Sequence, residues 1–155
     1  MKTLSYSDVC LVPEYSECRS RSAVSTLTMF GPQQFHLPVV PANMKAVINA
    51  DIARWMSDSR YFYIMHRFDV DMLQFVQRAN DEDWQTISVS IGVKAEETNF
   101  LLKAYSLKLR IDYITIDIAH GHSLNMKEAI ENVRRYYPDA YIIAGNVATP
   151  EGVRA

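Results

Sequence analysis

IDYITIDIAHGHS, residues 111–123, decides how this chain is read. In extended backbone, side chains alternate between two faces. Ile114, Ile116 and Ile118 therefore oppose Tyr113, Thr115 and Asp117. A parallel strand buried on both faces reads as a continuous apolar run, so a polar second face points to a sheet covered by helices on one side only. The stretch TISVSIGV, residues 86–93, repeats the pattern, with Ile87, Val89, Ile91 and Val93 opposing Thr86, Ser88, Ser90 and Gly92.

Working outward, β-rich apolar runs begin near Leu37 (LPVVPANM), Tyr61 (YFYIMH), Thr86, Ile111 and Ala140 (AYIIAGNV), at a spacing of about 25 residues. Helical stripes lie between them: Ile48, Ile52, Trp55 and Met56; then Met72, Phe75, Val76 and Ala79 after a cap at Asp69; then Leu101, Ala104 and Tyr105; then Met126, Ala129, Ile130, Val133 and Tyr137. These stripes are core packing, as are Trp84 and Tyr136. Thr149 and Pro150 suit the N-cap and first position of a fifth helix. Strand–helix alternation at this period predicts parallel strands joined by crossovers, in either an open doubly wound sheet or a closed barrel. The alternating faces favour the barrel. The expected fold is α/β, a partial TIM (βα)8 barrel of about five strands and four helices. Residues 37–155 form its N-terminal half, and residues 1–36 form an extended arm with one short hairpin. Eight such units need roughly 200 residues. Five strands leave two apolar edges, so the chain is either a fragment or a subunit that associates to cover them.

Hydrophobic residues make up 48% of the 155 and charged residues 22%, the balance of a folded globular chain. Sixteen basic and eighteen acidic side chains give a net charge of −2, which offers no electrostatic reason to expect nucleic acid or an anionic membrane as partner. No apolar run reaches the ~20 residues of a membrane helix, and the N-terminus does not read as a secretory signal, so the expected location is the cytoplasm. Cys10 and Cys18 lack metal or redox spacing and read as reduced, partly buried thiols.

In a barrel the active site forms at the C-terminal ends of the strands. There the pattern gathers Asn43, Ser90, Asp117 and Asn146, four polar groups from four strands. His120 and His122 lack a third ligand for a metal and suit loop hydrogen bonding. Arg67 suits a cofactor phosphate or a solvated rim.

YSDVCLVP, PVVPANM, MHRFD, ITIDIAHGHS and IIAGNVATPEGV follow one another, from Tyr6 to Val153, in an order and spacing that resembles the IMP dehydrogenase and GMP reductase family. The resemblance implies a (βα)8 barrel, usually a homotetramer, binding a purine nucleotide and a nicotinamide cofactor at the barrel mouth. It implies a cysteine that attacks purine C2, with hydride passing between that carbon and the nicotinamide. Covalent attachment divides a hard substitution into two easier steps. The span from Asp69 to Thr86 leaves no room for the regulatory domain of most IMP dehydrogenases, and Lys45 stands where those enzymes typically carry aspartate. The implied activity is therefore that of the GMP reductase branch: NADPH-dependent conversion of GMP to IMP with release of ammonia. IMP dehydrogenase and a non-catalytic nucleotide-binding fragment are the alternatives. The family's cysteine falls in a glycine-rich block absent from residues 1–155, so these residues alone are expected to be inactive. By resemblance, Asn43 and Met44 line the purine pocket, Asp117 meets the cofactor's ribose or amide side, and Asn146 lies near the nicotinamide. Ser90 joins the substrate side from the strand pattern alone.

Overall fold

The computed structural model describes residues 4–155. Residues 4–36 contain two single-turn 3-10 helices, Tyr6–Asp8 and Arg21–Ala23, and an antiparallel hairpin of β1 (Thr28–Phe30) and β2 (Gln33–Phe35). Then follow α1 (Ala50–Asp58), α2 (Met72–Asp81), β3 (Ser88–Ile91), α3 (Ala95–Ser106), β4 (Tyr113–Asp117), α4 (Leu124–Tyr136), β5 (Tyr141–Gly145) and α5 (Pro150–Arg154). Strands β3, β4 and β5 form a parallel sheet in that order, each beside its successor. The register pairs Ser90 with Thr115, Thr115 with Ile143, and Asp117 with Gly145.

The two-residue alternation sorts side chains onto two distinct faces. Ile87, Val89, Ile91, Ile114 and Ile116 are buried in one cluster with Ala53 and Met56 of α1, Phe75, Val76 and Ala79 of α2, Leu101 and Ala104 of α3, and Met126, Ala129 and Val133 of α4. On the opposite face Tyr113 joins Phe62 and Ile143 against Phe30 and Phe35 of the hairpin. Helices thus cover one face, and the hairpin packs on the other at the N-terminal ends of the strands. A doubly wound sheet would carry helices on both faces.

Several expectations need correction. LPVVPANM forms no strand: Pro38 and Pro41 lack the N–H groups a ladder requires, and Val39 and Val40 are exposed. YFYIMH lies parallel to β3 but pairs through a single bridge, Met65 with Val89, closed by Met65 N–H to the Ser88 carbonyl (3.1 Å) and Ser90 N–H to the Met65 carbonyl (2.9 Å). Three strands, not five, build the sheet, and among the described residues it does not close on itself. The cap of α2 is Asp71, which accepts from Gln74 N–H at 3.0 Å. Asp69 has φ 53° and instead pairs with Lys45 at 2.7 Å. On α1, Ile52 and Trp55 face outward, and the core side is Ala53, Met56 and Ser57. Tyr105 of α3 is likewise exposed, against the rings of Tyr136 and Tyr137. Cys10 and Cys18 are free thiols, as read, but exposed rather than partly buried. The fifth helix begins as expected, with Thr149 accepting from Gly152 N–H at 3.1 Å.

Asp112 ties the sheet together just before β4. Its carboxylate accepts from Ile87 N–H at 2.7 Å, while its own carbonyl accepts from Tyr141 N–H at 2.8 Å. Burial raises its carboxyl above the ordinary range, against the lowering effect of the Ile87 bond and Arg110. Asp112→Ala strands the Ile87 amide, and urea unfolding is expected to show a loss of about 1–3 kcal/mol. Asp112→Asn keeps an acceptor and should cost less. Because the folded-state pKa is raised, the protonated carboxyl favours the fold at low pH, and that contribution is lost as pH rises through the folded value. The stability difference between wild type and Asp112→Asn should therefore move in favour of the Asn variant as pH is raised above 4.

Candidate functional site

The candidate site lies at the C-terminal ends of β4 and β5. Asp117 is the last residue of β4, and its Oδ2 accepts from Asn43 Nδ2 at 3.0 Å, joining residues 74 positions apart in sequence. The pairing continues past the ladder: Ile118 N–H donates to the Gly145 carbonyl (3.0 Å) and Asn146 N–H to the Ile118 carbonyl (2.7 Å). Gly121 N–H then donates to the Asn146 carbonyl at 2.7 Å. A Cβ on Gly121 would sit 2.8 Å from that carbonyl oxygen, so only glycine lets the loop after β4 close on the end of β5. The Gly145–Asn146 peptide is cis.

Asn43, Asp117 and Asn146 are thereby gathered at one rim. Asn43 and Asp117 are half-buried and Asn146 is exposed. Among the described residues, no hydrogen bond reaches Asp117 Oδ1 or the Asn146 side-chain amide. Met44 follows Asn43 and is 56% exposed, while its carbonyl accepts from Val47 and Ile48 N–H ahead of α1. Ser90 is placed differently. It is buried, and its hydroxyl donates to the Met65 carbonyl at 2.8 Å, holding the YFYIMH segment to β3. His120 and His122 are exposed in the loop after β4, and no group of three or more His, Cys, Asp or Glu among the described residues is placed to hold a metal. No helix of the described residues is long and apolar enough to cross a membrane.

Arg67, expected at a cofactor phosphate or a solvated rim, and Glu97 adjoin these residues. Arg67 turns toward the sheet: its Nη2 reaches the Asp117 carbonyl and its Nη1 reaches Glu97 Oε1, both at 3.4 Å, and its Cζ lies 4.8 Å from the centre of the Phe68 ring. Sequence pattern alone does not mark Glu97 as a site residue. The available signal was its place three residues after Lys94, from which a carboxylate reaches back to the first N–H of a helix; here it accepts from Lys94 N–H at 3.0 Å. His66 is buried, and its Nδ1 accepts from Phe68 N–H at 3.2 Å, which leaves Nε2 to carry the donor hydrogen.

Chemically, this rim offers a carboxylate held at one oxygen and open at the other, beside a free amide. A carboxylate accepts from sugar hydroxyls, and an amide both donates and accepts, as a carboxamide partner requires. These groups fit a nicotinamide nucleotide, and the exposed thioether of Met44 offers a polarizable surface to a flat base.

Residues 3–155 match the family model for the IMP dehydrogenase / GMP reductase domain. The GMP reductase of Staphylococcus carnosus (strain TM300) is 46% identical over 155 residues, covering 99% of this chain and 47% of the relative. The GMP reductase of Staphylococcus aureus (strain JH9) shows the same identity and coverage. The chain thus spans about half the length of the curated relatives it matches. With the match running through PANM, DIAHGHS and AGNVATPEG, the chain belongs to the IMP dehydrogenase / GMP reductase family.

Proposed function

We propose that these residues form the N-terminal half of a (βα)8-barrel GMP reductase, which converts GMP to IMP with oxidation of NADPH and release of ammonia. The observation that carries this reading is the Asn43–Asp117 pair, which joins the turn before α1 to the end of β4 beside Asn146. A sheet with helices on one face, strands in sequential order and polar groups at its C-terminal rim is the arc from which such a barrel is built. Similarity to GMP reductases over nearly the whole chain supports the choice within the family.

In this reading Asn43 and Met44 face the purine. Ser90 serves the substrate side from below, through the backbone of Met65. Asp117 accepts hydroxyl or amide hydrogens of the cofactor, and Asn146 meets the carboxamide. NADPH supplies the hydride when bound. The residues described here orient the two ligands, and the covalent step belongs to a cysteine outside residues 1–155. The segment alone therefore turns nothing over. Assembly as a homotetramer in the cytoplasm completes the proposal.

The test uses a polypeptide that carries these residues at the full length of the relatives. NADPH absorbance should fall on addition of GMP, with ammonia appearing in step. Reduction of NAD with IMP, and no NADPH oxidation with GMP, would transfer the chain to the dehydrogenase branch.

A further inference from the structure

We propose that Glu97, on the first turn of α3, is a positioning residue for the cofactor carboxylate Asp117, acting through Arg67. The proposal rests on the assignment of Asp117 made above. Arg67 bridges the end of the YFYIMH segment and the end of β4, but its contacts to the Asp117 carbonyl and to Glu97 are both long, at 3.4 Å, and its buried Nε has no partner among the described residues. Hydrogen bonds of that length do not by themselves fix a guanidinium. The charge of Glu97 does: the side chains of Arg67 and Glu97 are only 28% and 17% exposed, so their attraction is less screened than at an open surface.

Glu97 is itself fixed. Its Oε2 accepts from Lys94 N–H at 3.0 Å, and the N-terminal end of α3 favours a negative charge there. Gly92 provides the space. A Cβ at that position would lie 2.7 Å from Glu97 Oε1 and 3.3 Å from Arg67 Cζ. A continuous run of contacts thus links the start of α3 to Glu97, Arg67, the Asp117 backbone and finally Asn43 on the Asp117 carboxylate. Without the Glu97 charge, Arg67 is free to swing toward the Asp117 carboxylate and compete with the cofactor for it.

The experiment compares Glu97→Gln, Gly92→Ala and Asp117→Ala in the polypeptide of full relative length, reading KM for NADPH, KM for GMP, kcat and thermal midpoint. Glu97→Gln keeps shape and removes charge. It should raise KM for NADPH about tenfold, the size expected when about one hydrogen bond to the cofactor is weakened, with KM for GMP within about twofold and kcat little changed. Gly92→Ala, which displaces the carboxylate without altering any charge, should give the same split. If it does not fold, the isosteric Glu97→Gln decides alone. A fall in thermal midpoint with both KM values unmoved, or an equal rise in both, makes Glu97 a purely structural residue and overturns the proposal. That outcome, with Asp117→Ala still raising KM for NADPH, leaves the Asp117 assignment standing. If Asp117→Ala leaves that KM unchanged, the assignment itself is wrong and the proposal falls with it.

Discussion

Asp117→Ala is expected to raise KM for NADPH about a hundredfold in the full-length polypeptide while GMP affinity stays within about threefold. Hydrogen bonds to an ionised group contribute about 1.5–3 kcal/mol each, so the loss of one or two such bonds spans that range. The split follows from placement. Asp117 ends β4 beside Gly145 and Asn146, whereas Met44 projects from the turn ahead of α1. Asn43 loses a partner in this variant but keeps its amide, which in the proposed function faces the purine. Asp117→Asn should fall between, because an amide oxygen still accepts while the charge is gone. Steady-state kinetics with each substrate varied, together with calorimetric titration of GMP, would distinguish the two sides of the site. An equal loss of GMP and cofactor binding would contradict the role given to Asp117.

The second large effect concerns folding. Tyr113→Ala should cost about 3–5 kcal/mol, the range for removing a buried aromatic side chain. Tyr113 is fully buried at the start of β4, with ring centroids of Phe62 at 4.9 Å, Tyr141 at 5.7 Å, Phe35 at 6.0 Å and Phe30 at 6.1 Å. Its hydroxyl donates to the Phe30 carbonyl at 2.6 Å, so the same residue fastens the hairpin to the sheet. Tyr113→Phe removes only that bond and should cost about 1 kcal/mol. Burial pushes the Tyr113 hydroxyl up to about 12. Because the folded value lies above the unfolded one, near 10, the fold's preference for the neutral phenol holds below pH 10 and is lost as pH rises toward 12. Denaturant unfolding of both variants, with an alkaline titration of the wild type, checks the set. A hairpin that stays docked in Tyr113→Ala, seen as unchanged amide protection of Phe30 and Phe35, would show that Tyr113 does not fasten it.

Periodicity made the helices and the central strands legible, because burial on one face imposes a period that the sequence must carry. TISVSIGV and IDYITIDIA sort their isoleucines and valines to the helix side as their alternation requires. The rim was legible in part: Asp117 and Asn146 follow apolar strands and meet Asn43, whereas Ser90, expected beside them, is buried with its hydroxyl on the Met65 carbonyl. Where tertiary contacts override local pattern, the reading failed. Asp69 and Asp71 are equally good caps by type, yet Asp69 lies at φ 53° and pairs with Lys45, distant in sequence, while Asp71 caps the helix. Trp55 falls at core spacing but finds its partner in Tyr61 on the outer side of α1. LPVVPANM has strand composition, yet its two prolines deny it a ladder. Glu97 carried only a generic capping signal, and its link to Arg67 spans 30 residues that no local rule connects.

A crystal structure of the full-length polypeptide with GMP and NADP+ bound together bears most directly on the site. The purine should lie against Asn43 and Met44, and the nicotinamide ribose or carboxamide should bond to Asp117 Oδ1 and the Asn146 amide. Ligands found instead beside the hairpin, at the N-terminal ends of the strands, with Asp117 untouched, would contradict the account.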